Sequence, residues 1–129
     1  MEKIFDQKFI AELFQKADES LRKRQNYDLR TSSADTSQRM LNALMPETVV
    51  PIHRHEDTSE TVICLCGRLE EIFYEPVNKE MTEFKEIERF ELCPNKGKMG
   101  LQVPKGVWHT IAVKEPSVIF EAKDGAYKG

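Results

Sequence analysis

The chain has three histidines, and together with one glutamate they make a set of metal-ligand type. His53 and His55 stand two residues apart. On a β-strand such residues project from the same face, so both imidazoles can reach one ion. Glu60 follows the polar turn Glu56-Asp57-Thr58-Ser59 and opens the next strand, which can swing its carboxylate back over the pair. His109 comes much later, after the tight turn of Pro104-Lys105-Gly106. Three imidazoles and one carboxylate suit a divalent transition metal. The alternative is a mixture of surface and core histidines without a chemical role, but no histidine lies outside the set. Octahedral Fe, Mn or Ni would keep two positions open for substrate or O2, whereas tetrahedral Zn would be nearly closed. Such an ion acts as a Lewis acid on a substrate oxygen or as an O2 centre. An isomerase or epimerase, a dioxygenase and a non-catalytic binding or sensing module all remain open, and no catalytic residue is assigned.

Charged side chains suggest the ligand. Arg22-Lys23-Arg24 follows the first helical pattern, Arg30 lies further along, and Arg39 opens a strand. If this segment folds over the mouth of the fold, Arg24, Arg30 and Arg39 can grip a phosphate or carboxylate through paired N–H donors. The expected ligand is then a small anionic molecule. The other reading of the triplet is a cationic helix C-terminus. Glu121 is the one carboxylate outside the shell that can face inward. On the strand that opens at Glu60, the residues Val62, Cys64 and Cys66 share its parity and are expected to face the interior. The cysteines read as small buried hydrophobes or, for Cys64, as a redox group beside the metal. Trp108 precedes His109 and should face away from it.

These residues need elements to position them. Phe9, Ile10, Leu13, Phe14, Ala17 and Leu21 recur at steps of three and four, which predicts a helix over residues 6–21 with Asp6 as its N-cap. Residues 22–37 are polar and aperiodic and read as an arm or loop. From Gln38 on, short runs alternate with Pro, Gly and Asn: 39–44, 60–66, 69–74, 84–92, 100–103, 110–113 and 118–122. That spacing predicts an all-β antiparallel barrel with the helix packed on it. The chain divides into a helix and arm at 1–37 and a barrel at 38–129, one structural domain in all.

Composition excludes several partners. Among 129 residues, 19 Lys+Arg oppose 22 Asp+Glu for a net charge of −3, without the basic excess that nucleic-acid binding requires. No apolar run approaches the roughly 20 residues of a membrane span, so no membrane partner is expected. Charged residues interrupt the first ten positions, which argues against a signal peptide. Three cysteines are an odd count and read as reduced thiols in a cytoplasmic protein, with one long-range bridge to Cys93 as the alternative.

Two motifs carry a family resemblance. His53-Arg54-His55, four residues, Glu60, six residues and Gly67 resembles the first cupin motif, and Pro104-Lys105-Gly106-Val107-Trp108-His109 resembles the second. The resemblance implies a cupin jelly-roll barrel with His53, His55, Glu60 and His109 as metal ligands. Over most of the chain, Gln38–Leu44, Pro51–His55, Pro104–His109 and Phe120–Tyr127 look like the WbuC-type cupin-fold metalloproteins. That group has an N-terminal helical extension and is often associated in bacteria with genes for surface-polysaccharide synthesis. The resemblance puts Arg39 and Asn42 in a shared segment and makes them ligand candidates, and cupins are frequently homodimers. The chain departs from the patterns at Glu47, where cupins often have Gly, and at Val113, where they often have Asn. It departs from the WbuC-type pattern at Arg30 in place of His and at Ala126 in place of Pro. The four ligand positions are intact.

Overall fold

The computed structural model describes residues 3–125. Helix α1 (Gln7–Glu19) starts where Asp6 accepts a hydrogen bond from the Phe9 N–H at 2.9 Å, which satisfies one of the free amides of the first turn. It stops at Ser20, whose backbone is extended, so Leu21 falls outside the apolar stripe and is fully exposed. The stripe itself, Phe9, Leu13 and Ala17, packs on Leu41, Ala43 and Val118.

Six antiparallel strands follow: β1 (Arg24–Asp28), β2 (Ser37–Leu44), β3 (Glu60–Pro76), β4 (Phe84–Leu92), β5 (Gly100–Val103) and β6 (Trp108–Asp124). The fold is an all-β jelly-roll barrel with α1 on its outside. Strand β1 corrects the reading of residues 22–37 as an arm. Its residues pair one-for-one with β2, from Arg24 opposite Leu44 to Asp28 opposite Met40. Edge pairing of this kind needs backbone groups rather than a hydrophobic period, and only Tyr27 joins the helix cluster, edge-on to Phe9 at 5.1 Å. Among the described residues no helix is long and apolar enough to cross a membrane.

The expected short strands 60–66 and 69–74 are one strand, and so are 110–113 and 118–122. A 17-residue strand extends to about 56 Å, too long for a barrel of this size, so β3 and β6 fold over together. The corner lies where their register slips, between Cys64 and Leu69 on β3. Gly67 sits there at φ +96°, so close to the Pro116 carbonyl and Ser117 that no Cβ fits. Ser117 is fully buried and ties the corner, accepting from the Arg68 N–H at 3.0 Å and donating to the Glu115 carbonyl at 2.7 Å.

One layer holds β1, β2, the second half of β6, the first half of β3 and β5; the other holds the first half of β6, the second half of β3 and β4. Leu44, Val62, Cys64 and Ile119 from the first layer meet Leu69, Phe73, Leu92 and Val113 from the second. The register slip has a consequence for parity. Val62 and Cys64 face the interior as expected, but Cys66 packs against the helix cluster on the opposite side. A bulge adds a residue on one strand and reverses the alternation beyond it.

Candidate metal centre

The corner is what assembles the site. Along the ladder Glu60 faces Lys123 and His109 faces Phe73, at opposite ends of β3 and β6. Folded over, they meet: Glu60 Oε1 lies 3.7 Å from His109 Nε2. His53 is held against the same strand by an antiparallel bridge, its N–H donating to the His109 carbonyl at 3.0 Å and its carbonyl accepting from the His109 N–H at 2.8 Å. His55 is anchored through its carbonyl, which accepts from the Gly106 N–H at 2.8 Å. Gly106 takes φ +82° in a turn closed by the Val107 N–H on the Pro104 carbonyl, the position where a type II turn requires a left-handed residue. Between the two histidines Arg54 points away and stacks over Trp108 at 4.8 Å, and Trp108 packs on Phe84 outside the shell.

The three imidazoles offer ligand atoms that all lie within 4.8 Å of one another. His53 Nδ1 and His109 Nδ1 each sit 2.9 Å from a backbone carbonyl, of Pro51 and Val107. A carbonyl only accepts, so Nδ1 carries the proton and Nε2 presents a lone pair. Glu60 Oε2 lies 3.5 Å from His55 Nε2, and its side chain is 6% exposed. The Nε2 atoms of His55 and His109 are buried without a hydrogen-bond partner. Lone pairs and a carboxylate facing one another in a buried space are mutually repulsive unless a cation lies between them. Donors about 2.1 Å from one ion stand roughly 3 to 4 Å apart, close to the spread seen here. The residues fit a divalent metal.

Protonation favours the same state. Burial holds His53 below the usual histidine range, with His109 and His55 adding to the effect, so its neutral, ligating form is preferred. Burial would push Glu60 up, but the His109 and His55 rings when they carry a proton, and then Lys123, 3.5 Å away, outweigh it and hold the carboxyl well below its ordinary value. Glu60 is therefore ionised.

Comparison with known proteins agrees on the fold. The family model for a domain of unknown function, DUF6016, matches residues 5–85. The chain belongs to the DUF6016 family. No curated protein matches it in sequence. Among solved structures it is similar to YcfD, a ribosomal oxygenase from Escherichia coli (TM-score 0.56, 21% identity), over 70% of this chain and 23% of YcfD. It is similar to CapF, a capsular polysaccharide assembling protein from Staphylococcus aureus (0.61, 18%), over 80% of this chain and 27% of CapF. A cupin-2 domain protein from Shewanella frigidimarina (0.52, 22%) matches 76% of this chain and 79% of its own. The DUF6016 chain thus spans about a quarter of YcfD and CapF, and its barrel is a cupin fold.

Beyond the shell, the inner face of this DUF6016 barrel carries further polar groups, Asn42, Glu121 and Glu71 among them. Asn42 Nδ2 donates to Glu121 Oε1 at 3.3 Å, so the structure places these two sequence candidates side by side. The third is Glu71, which sequence reasoning missed. It is 2% exposed, and its Oε1 has no partner. Its signal was parity, since Glu71 alternates with Leu69 and Phe73, both core residues. The adjacent Glu70 made that parity ambiguous until the corner defined which of the two faces inward.

The arginine candidates do not converge. Arg24 lies opposite Leu44 at one end of β1, whereas Arg30 follows the other end and clasps Asp28 through Nε and Nη2, the latter at 2.7 Å. Some 13 Å of strand separates those ends. Arg39 shares the outer, helix-facing side of β2 with Leu41 and Ala43, and donates to the Ser37 and Leu29 carbonyls at 2.7 and 3.1 Å. Arg30 and Arg39 thus answer acceptors of their own segment. Cys64, Cys66 and Cys93 are all free. Burial, with Cys66 nearby, pushes the Cys64 thiol up to about 11, so it behaves as a small buried hydrophobe. Ala126 and Tyr127, the end of the WbuC-like segment, lie outside the described residues.

Glu121 makes the metal-free protein sensitive to pH. Burial, followed by the charge of Glu60, pushes its carboxyl from 4.5 up to about 7. A raised folded value means stability that is complete below about pH 4.5 and is lost as pH rises through about 7, up to about 3 kcal/mol. Glu121→Gln, which can still accept from Asn42, should therefore be more stable than the parent at pH 8 by up to that amount and little changed at pH 4. Urea unfolding at the two pH values measures it, and parallel curves for the two proteins would contradict the assignment.

Proposed function

We propose that this chain is a metal-dependent enzyme of the WbuC type, acting on a small sugar-related metabolite. The observation that supports it most is the convergence of three imidazoles with an ionised, buried Glu60. His53, His55, Glu60 and His109 would hold the ion, and Fe, Mn, Ni or Zn would supply Lewis-acid polarisation of a substrate oxygen or an O2-binding position. The chain's own residues prepare the ground: the Pro51 and Val107 carbonyls orient His53 and His109, Lys123 stabilises the Glu60 charge, and the apolar interior limits access of water. A polysaccharide-related role is supported by the WbuC resemblance and by the likeness to CapF. A non-catalytic metal-dependent binding module is the second reading, favoured by one observation: once the shell is assigned, no histidine is left to move a proton.

The test is elemental analysis of freshly purified protein, followed by NMR of metal-loaded parent and His109→Ala with a panel of sugar nucleotides and sugar phosphates, with and without O2. Turnover by the parent alone is the expected result. Binding without chemical change would move the assignment to the binding module, and protein without metal or ligand would overturn both.

A further inference from the structure

The buried side-chain polar atoms without a partner among the described residues sort by chemistry. Two are imidazole nitrogens, of His55 and His109, which face the metal position. The other three are oxygens: Gln38 Oε1, Asn42 Oδ1 and Glu71 Oε1. A buried oxygen without a donor is costly, so three of them in one interior call for a common occupant.

They share one face. On β2, Gln38 and Asn42 have the parity of Leu44, which lies in the barrel core, while Leu41 and Ala43 face the helix. Gln38 is paired with Lys123, and Lys123 with Glu60, so Gln38 belongs to the row that carries a metal ligand. Asn42 lies four residues further along β2 on the same side and turns its amide to Glu121, which leaves Oδ1 free. Glu71 comes from the opposite layer, two pairs along the ladder from His109. Its carboxyl lies within the field of both Glu60 and Glu121, and burial first, then these charges, keeps it protonated well above the ordinary range.

We propose that Gln38, Asn42 and Glu71 form the organic half of the metal site and accept hydrogen bonds from a polyhydroxylated small molecule, one oxygen of which reaches the metal. The inference rests on the metal-site reading and adds the ligand class to it. Acceptor oxygens recognise donors, and an anion has none to give. A cation is disfavoured because the Lys123 ammonium already lies beside Glu60, and a protonated Glu71 offers no charge to pair with. An alcohol both donates and accepts, which a carboxylic acid can reciprocate. The interior thus selects hydroxyl groups, in contrast to the anion grip expected of the arginines.

Two probes isolate that half: gluconate and hexanoate carry the same carboxylate for the metal and differ in their hydroxyls. Calorimetry on the Mn²⁺-loaded full chain should show gluconate binding tighter by about tenfold or more, the size of one or two net hydrogen bonds. Glu71→Leu and Asn42→Leu should each shrink that ratio severalfold with Mn²⁺ binding unchanged, while Glu71→Gln, neutral and able to donate and accept, should keep it. Equal binding of the two probes, an unchanged ratio in both leucine variants, or loss in Glu71→Gln, with Mn²⁺ still bound, overturns this proposal and leaves the metal site standing. Parent protein that binds none of Mn²⁺, Fe²⁺, Ni²⁺ and Zn²⁺ overturns both.

Discussion

His109→Ala should abolish the stabilisation that a divalent metal confers on this protein. At a metal concentration about a thousandfold above its Kd, one site adds about 4 kcal/mol, or roughly 15 °C in Tm for a chain of this length. His109 is the shell's most enclosed member, its side chain 3% exposed, and its Nε2 has no other partner. Alanine removes that nitrogen and leaves His53, His55 and Glu60 as donors on an ion position that is open where His109 stood. The quantity to compare is the metal-induced increment at pH 7.5, not the absolute Tm, because the variant also loses packing. The parent's increment should fall as pH drops through the histidine range, since protons and metal compete for the same lone pairs. Burial lowers His53, so its lone pair stays free further into the acid range than that of an ordinary histidine. A parent Tm indifferent to Mn²⁺, Fe²⁺, Ni²⁺ and Zn²⁺ would sink the metal assignment.

Gly67→Ala should cost about 3 kcal/mol or more, although the residue touches no ligand. Two effects add: the left-handed backbone at φ +96°, worth about 1 kcal/mol, and a Cβ that has no room against the Pro116 carbonyl and Ser117. Gly97→Ala is the control. Gly97 has a similar φ of +76° but nothing within 4 Å of an added Cβ, so only the strain remains and the loss should stay near 1 kcal/mol. Urea unfolding gives both numbers. The corner also brings Glu60 to His109, so Gly67→Ala should weaken metal binding about tenfold where Gly97→Ala leaves it alone. Equal losses in the two variants would refute the close-approach explanation.

What could be read before folding was considered follows from local physics. Asp6 and the apolar stripe announced α1, though Leu21 overran it because periodicity does not report where the backbone turns extended. Strand β1 was hidden for the opposite reason: an edge strand is defined by the partner it pairs with, and Arg24–Asp28 has no period of its own. Breakers at Gly67 and Pro116 were legible as interruptions, but a glycine that ends a strand and one that bends it look alike in sequence. The bend was therefore read as two ends, and the reversal of Cys66 followed from it.

The sequence by itself determined the residue types of the candidate shell, their two-residue spacing and the strand-rich class, because strand parity and turn chemistry are local properties. Only the tertiary structure decided which groups meet. Glu60 and His109 belong to opposite ends of one ladder, and a corner a few residues wide closes the distance to 3.7 Å. The same corner sets Glu71 facing inward, while pairing in β2 turns Arg39 outward to the helix side. A one-residue slip in a strand exchanges its faces, and no count of side chains along the chain records where that slip occurs.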